Sequence, residues 1–531
     1  MNGRTPDGCR AERRGWARFV RLTAVGLGSA AVLWGCRGAS YRASGDPLLD
    51  LRNPNISERE RSDAAVVAWG EVSGGVRDRE RTRAALKDLA WSQQTPVRLR
   101  LTVLDLLTSD TTDEGAADSK RMVSLMVPSE PSRAVVSLLS DRIAEQGWTE
   151  LTPALVRSAA RDLEMNENGE RPEVRALESL HPGEGLQEVV FDVFLDPTGG
   201  AAGEAAGSLR LADRARSAAW ELLGALDPTG QGRAQMLRGV TAARISGPQE
   251  AETRRALGAL DACYRELACL PNTAMELEWV MRLHGGADKE TSAANAAWWA
   301  QASRAIGKLS AAQRDGLALR HAEPVRWASI HRPGWVAMSR GELLSTLDER
   351  LAGRRRHMRT AEMGPQRPAA KERVRDWDAS LAWGDVLAIL VIDEAIHQPA
   401  FAGRLWQQVG VDRDDKTTEY GGVIEAVESG SGDAFRLVLF RPRARDRTDD
   451  NRFVASDDLI NYSDRALAVF HQHVQKARNA RYAGPSDGDL DHAHRSVRSC
   501  LVFTSINSER LNADYYQPNG AVIDLGDIRS E

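Results

Sequence analysis

The sequence predicts a multidomain protein, in which an export segment precedes a mostly helical region and a smaller α+β domain closes the chain. Three observations predict this. The 531 residues exceed what one hydrophobic core organises. Between about residues 61 and 353 apolar side chains recur at helical spacing and strand-like runs are scarce. From residue 378 the pattern becomes mixed, with short apolar runs bounded by glycine-containing turns. A formal net charge of -5 with 27% charged residues describes an ordinary soluble surface and gives no reason to expect a nucleic-acid partner.

The export segment comes first. Arg10, Arg13, Arg14, Arg18 and Arg21 precede an uncharged run from Leu22 to Gly35, which ends in Leu33-Trp34-Gly35-Cys36. This resembles a bacterial lipoprotein signal, with bulky Trp34 an atypical occupant of its position. The resemblance implies a chain that begins at Cys36, carries lipid there, and is held to a membrane on its periplasmic, extracytoplasmic side by acyl chains. The uncharged run is shorter than the ~20 residues of a membrane span. Residues 37–60 then read as a polar tether. Of the other cysteines, Cys263, Cys269 and Cys500 are too few for a disulfide framework and read as buried thiols.

Residues 61–353 read as consecutive helices. Ala215, Ala218, Ala219, Leu222, Leu223 and Leu226 share one helical face, as do Leu99, Val103, Leu106 and Leu107. Thr273-x-x-Glu276 and Ser339-x-x-Glu342 read as capping boxes, and Thr152-Pro153 as an N-cap followed by a first-turn proline. Helices of ten to eighteen residues joined by short polar turns predict an irregular HEAT-like solenoid or, second, a helical bundle. Leu-Asp-Pro-Thr-Gly occurs at both 195–199 and 226–230, but no second landmark follows that step. Such a surface suits a protein partner. Trp298-Trp299 reads as packing, and His284 and His321 as isolated histidines. Residues 354–377, with Arg354, Arg355, Arg356, His357 and Arg359 followed by Gly364-Pro365, read as a basic linker.

In residues 378–531, Trp383 to His397 reads as an amphipathic helix. Residues 417–427, 435–440 and 465–473 read as strands, 489–498 as a helix, and 500–504 and 520–525 as late strands. Asn512 to Asn519 reads as a polar, aromatic loop. The chemistry centres on His471-Gln472-His473 at the end of an apolar run. Side chains two apart on a strand share a face, so both imidazoles can reach one metal ion. Asp489, in Ser486-x-x-Asp489, is suited to supply a third, carboxylate ligand.

The order of helix, Glu-x-Gly-Gly strand, hairpin, His-x-His strand, Ser-x-x-Asp, helix and closing strands resembles the JAMM (MPN-type) metalloprotease family over about residues 380–527. The resemblance implies an α+β, cytidine-deaminase-like fold with His471, His473 and Asp489 as zinc ligands, Glu419 as general base and Ser486 as a hydrogen-bond donor to the oxyanion. Two imidazoles and one carboxylate leave zinc a fourth position for water, the pattern of catalytic sites. Glu425, six residues beyond Glu419, also stands as a candidate base. Twelve residues separate His473 from Ser486, more than the family's usual gap, and Val474 replaces its common proline. The expected function is a lipid-anchored, extracytoplasmic zinc metalloprotease or isopeptidase-like hydrolase that cleaves an amide bond in a protein or peptide. The alternative is a non-catalytic helical scaffold with a JAMM-like recognition module.

Overall fold

Among the described residues, apolar side chains three and four apart become helices between Pro47 and Leu351, and the alternating runs near the C-terminal end become one sheet. The computed structural model describes residues 44–161, 163, 171–198, 205–241, 244–245, 249–285, 289–360, 371–427, 434–447, 449 and 452–530. The export segment with Cys36, most of the tether's first third and the loop between the first two strands lie outside the described residues.

The chain divides into two compact units, Met1–Leu107 and Thr108–Glu531. In the first, Asp46, Ser57 and Asp78 cap the helices Pro47–Arg52, Glu58–Ser73 and Arg79–Trp91. Each cap side chain accepts a backbone N–H that the first helical turn leaves without a partner. Leu51, Ala64, Ala65, Ala68, Leu86, Leu99 and Val103 are buried between them.

The second unit carries the remaining helices and the sheet. Ser339 and Glu342 form the capping box their spacing predicts, and Thr273 Oγ1 accepts the Glu276 N–H at 3.1 Å. Thr152 differs from expectation. A 3-10 turn at Thr149–Leu151 feeds directly into the helix Thr152–Ala159, so Thr152 is already helical. Its hydroxyl meets His181 Nε2 at 2.8 Å instead. Trp298 and Trp299 are buried and donate to Glu323 (2.6 Å) and Glu266 (2.7 Å). Cys263 and Cys269 are free, buried thiols.

One hydrophobic core joins the helices from Ala259 to Leu351 to the inner face of the sheet, through residues such as Trp279, Leu347, Leu390, Phe470, Phe503 and Ile523. Its axis is the helix Trp383–Ile396. Every residue there except Glu394 is buried, so it is enclosed on all sides instead of amphipathic, with the buried Asp385 and Asp393 paired to Arg320, Arg350 and Arg354. Among the described residues no single helix is long and apolar enough to cross a membrane. Residues 354–360 lie along the sheet: Arg354 Nη1 donates to Leu525 O (3.0 Å), His357 N to Asp524 Oδ2 (2.9 Å) and Thr360 N to Arg481 O (3.0 Å).

The described strands are β1 (Gly421–Ala426), β2 (Phe435–Phe440), β3 (Ala468–His473), β4 (Cys500–Asn507), β5 (Arg510–Tyr516) and β6 (Val522–Arg529). They form one sheet in the order β2-β1-β3-β4-β5-β6. All neighbours are antiparallel except β3 and β4. A parallel pair requires a crossover of a dozen residues or more. Here it is residues 474–499, which hold the long loop and the helix Asp487–Ser496. Extra residues in a crossover leave the strand register intact, so His471 still faces Val502 and His473 faces Thr504.

β5 takes up residues 512–516 of the loop expected at Asn512–Asn519, and only residues 517–519 form a turn before β6. Leu511, Ala513 and Tyr515 point into the apolar core, while Asn512 and Asp514 are also fully buried on the opposite face. Polar residues at buried strand positions gave that stretch the composition of a loop.

Candidate metal centre

β3 alternates as its sequence requires. Phe470 enters the main core, and Val469, His471 and His473 turn to the other face. The two imidazoles are buried and their Nε2 atoms stand 3.1 Å apart. His473 Nδ1 lies 3.3 Å from the Tyr482 carbonyl. A carbonyl only accepts, so Nδ1 carries the proton and the Nε2 lone pair faces His471. His471 Nδ1 meets the Tyr516 hydroxyl at 3.3 Å, which orients its Nε2 the same way.

Ser486-x-x-Asp489 is a capping box, with Asp489 in the place usually held by Glu or Gln. Asp489 Oδ2 accepts from Ser486 N (2.7 Å) and Ser486 Oγ (2.8 Å). That leaves Oδ1 turned toward His471 Nε2 at 3.3 Å. Local helix chemistry therefore aims the carboxylate, and the length of the preceding loop does not. Gly484, at φ +92°, makes the turn into it.

β1 supplies the glutamate. Gly421 pairs with His471, and Gln472 N donates to Tyr420 O (3.0 Å), so Glu419 falls opposite His473. Glu419 Oε1 is 3.9 Å from His473 Nε2. The adjoining glycines are required by close approach. A Cβ on Gly421 would lie 2.4 Å from Phe470 O and 2.5 Å from the Phe453 ring, and one on Gly422 would lie 1.9 Å from Val438 O. The freed space lets the Phe453 ring stack on His471, with centroids 5.7 Å apart and planes 9° apart. Glu425 is elsewhere: it pairs with Arg436 across the β1/β2 register, at the sheet edge.

The structure thus brings together Glu419, His471, His473, Ser486 and Asp489 along a cleft of about 570 Å³. Glu419, His471 and His473 each offer one ligand atom within 4.8 Å of the others, and they could hold a metal ion. Asp489 Oδ1 is nearer to His471 than Glu419 is to His473. Charge follows the same division. Burial and the positive His471 push His473 down to about 4, so it is neutral, as a metal ligand must be. Burial opposes ionisation of Asp489, but His471 outweighs it and holds that carboxyl well below its usual range. Burial opposes charge on His471 too, and Asp489 overcomes it and raises the imidazole. Glu419 is pushed up to about 8 by burial and by Asp489 and Asp412, against His471.

The donor set fits zinc. Bonds of about 2.0–2.1 Å at tetrahedral angles place neighbouring ligand atoms about 3.3 Å apart, close to two of the observed separations, 3.1 Å and 3.3 Å, while the third, His473 Nε2 to Asp489 Oδ2, is 3.9 Å.

Tyr516, from the stretch the sequence reads as a polar, aromatic loop, does line the cleft, and it reaches it from β5, where it shares a face with Asn512 and Asp514 by period-two alternation. Phe453, the Tyr482 carbonyl and Asp412, whose Oδ2 accepts from Tyr420 N at 3.2 Å, carry no local signature. Asp491 and His494 sit on the helix surface, the first paired with Arg495 at 2.6 Å. His492, one turn after Asp489, lines the cleft, and burial pushes it down to about 4. Comparison with protein-family models, curated proteins and solved structures finds no match for this chain.

Proposed function

We propose that this protein is a zinc-dependent amide hydrolase of the JAMM type, held outside the cytoplasm by lipid on Cys36 and acting on a protein or peptide. The observation that carries the reading is the convergence of His471, His473, Asp489 and Glu419 on one point of the cleft, with His471 Nε2 3.1 Å from His473 Nε2 and 3.3 Å from Asp489 Oδ1, and with Asp489 and Glu419 each 3.9 Å from His473 Nε2. When bound, zinc supplies Lewis acidity toward a carbonyl and lowers the pKa of water.

The chain's own groups then divide the remaining work. His471, His473 and Asp489 hold the ion, and Tyr516 and the Tyr482 carbonyl fix the two imidazoles by hydrogen bonds to their outer nitrogens. Glu419 stands 3.9 Å from His473 Nε2, near enough to take a proton from water at the histidines. It then delivers that proton to the departing amine, the role of a general base turned acid. Its buried setting resists ionisation until positive charge enters the cleft. Ser486 Oγ, which donates to Asp489 Oδ2, is positioned to donate to a developing oxyanion instead. In this reading the α+β portion is the cytidine-deaminase-like catalytic module, and the preceding helices form a HEAT-like surface for a protein partner.

The test is cleavage of a mixed-sequence peptide library and of Lys-linked isopeptides by the zinc-loaded chain, read by mass spectrometry. Glu419→Gln should keep its zinc and lose at least about 10²-fold in rate. Equal cleavage by the variant would move the base to another group, and no cleavage by either protein on any substrate would refute the hydrolase reading.

A further inference from the structure

A second cluster of metal-ligating side chains lies on the same face of the sheet, two strands away. His471 on β3 pairs with Val502, Val502 with Asp514, and Asp514 with Asp524, so one row crosses the sheet from the histidine to the two aspartates. Glu372 is pinned above them, because Asp524 N donates to its carbonyl at 2.9 Å. Glu372, Asp514 and Asp524 are all buried, and each offers an oxygen within 4.8 Å of the others. We propose that Glu372, Asp514, Asp524 and Asn512 form a second cation site for a hard divalent ion of the Ca²⁺ class, separate from the histidine centre.

The acids alone would not establish this. The independent observation is Asn512, fully buried, whose amide is aimed at the acids: Nδ2 donates to Asp514 Oδ2 at 2.9 Å and Oδ1 has no partner. Turning that amide over places a neutral oxygen in the cluster, an exchange that a bound cation favours. Glu372 Oε2 and Asp514 Oδ1 are likewise buried without a hydrogen-bond partner. Orphaned acceptors in a dry site are costly unless something positive satisfies them.

The other contacts place the carboxylates without saturating them. Asp524 accepts from His357 N (2.9 Å) and Gly526 N (2.8 Å), and the Asn512 amide also acts on it as a donor. Arg359 N reaches Glu372 Oε1 at 3.4 Å.

The donor set selects the ion. All four groups offer oxygen, with no nitrogen or thiolate, which is the preference of Ca²⁺ over zinc. No pair of the three carboxylate oxygens is farther apart than 4.8 Å, the span across an ion with bonds of about 2.4 Å. Three carboxylates would leave a Ca²⁺ site one negative charge in excess, and Arg359 and Arg356 lie near enough to act on Glu372 and Asp524. Without an ion, burial raises Glu372 to about 7 and Asp524 to about 6, so protons are the competing occupants. The site would also tie the catalytic loop to the sheet. A Cβ on Gly484, two residues before Ser486, would stand only 3.4 Å from Glu372 Oε1 and 3.9 Å from Asp514 Cγ.

The experiment uses the full chain, stripped with EDTA and dialysed, with Tm followed as CaCl₂ alone is added up to about 5 mM, above the Kd of weak extracellular calcium modules. The expected result is a saturable rise in Tm that His471→Ala/His473→Ala retains and Asp514→Asn/Asp524→Asn loses. If the double Asn variant does not fold, Glu372→Gln takes its place and should raise the apparent Kd for Ca²⁺ at least tenfold. No saturable rise in the unmodified chain, a rise abolished by the histidine substitutions, or an unchanged Kd in Glu372→Gln would overturn the proposal. None of these outcomes depends on hydrolysis or on zinc at the histidines.

Discussion

Ser486 occupies two roles that substitution can separate. Its hydroxyl accepts the Asp489 N–H (3.3 Å) as a helix N-cap, and it donates to Asp489 Oδ2 (2.8 Å), from where it is proposed to turn to the oxyanion. Ser486→Ala removes both. An N-cap serine replaced by alanine costs about 1 kcal/mol, whereas glycine costs only a few tenths. Because RT is about 0.59 kcal/mol, protection of the helix Asp487–Ser496 against amide hydrogen exchange should fall about fivefold in Ser486→Ala and less than about twofold in Ser486→Gly. Zinc content should stay near one equivalent in both, since the Ser486 N–H still holds Asp489 Oδ2 at 2.7 Å. Hydrolysis should fall equally in the two, by about 10²–10³-fold, the usual effect of losing one oxyanion donor. The discriminating result is Ser486→Gly. If its activity tracks its near-normal helix protection instead of its missing hydroxyl, the serine is a cap alone, and if it loses zinc, the capping box does not position Asp489.

Two further outcomes follow from charge. In EDTA-stripped protein, stability should fall as pH rises from 6.5 to 8. Glu419 (about 8), Glu372 and Asp412 (both about 7) keep their protons in the folded state after the unfolded chain has released them. For a carboxyl with a raised folded pKa the unfolded state binds fewer protons, so ΔG of unfolding declines through this window. Glu419 contributes a slope approaching about 1.4 kcal/mol per pH unit. His473 and His492, both about 4, are neutral in the folded state while the unfolded imidazoles still bind protons near pH 6.5, so they oppose this decline at the lower edge of the window and fade above it. A thermal scan series that rises or stays flat over pH 6.5–8 would contradict the burial of these acids. Away from the cleft, Asp464 accepts from Arg282 (2.8 Å) and Arg498 (2.7 Å), and the Arg498 guanidinium lies 3.2 Å from the Trp279 ring centroid. Asp464→Ala strands the buried Arg498 and should destabilise the chain by about 3–5 kcal/mol in urea denaturation. A loss below about 1 kcal/mol would show that the cluster relaxes.

How much of this was legible depends on the range of the signal. His471 and His473 were readable because strand period fixes their common side, and Asp489 because Ser-x-x-Asp is a local capping geometry. Glu419 was assigned from a resemblance; its position opposite His473 comes from a register between strands fifty residues apart, which single-sequence periodicity does not encode. β5 was missed for a physical reason. Its outward residues, Asn512 and Asp514, are buried acids and amides instead of solvated ones, so the alternation was present but its polar half read as loop. The helix Trp383–Ile396 was found, yet its burial on all sides depends on the helices Ala322–His331 and Arg340–Leu351 that pack over it. Gly421-Gly422 was visible as a pair, and only the packed sheet shows that Phe470, Phe453 and Val438 leave no room for a side chain.

The central claim is that His471 and His473 hold one zinc ion, and metal content measures it most directly. The purified full chain, analysed by inductively coupled plasma mass spectrometry after dialysis against metal-free buffer, should carry close to one equivalent of zinc. His471→Ala/His473→Ala, prepared identically and shown by circular dichroism to be folded, should carry none. Zinc content that is unchanged by the two substitutions, or absent from the unmodified chain even after incubation with zinc, would contradict the claim.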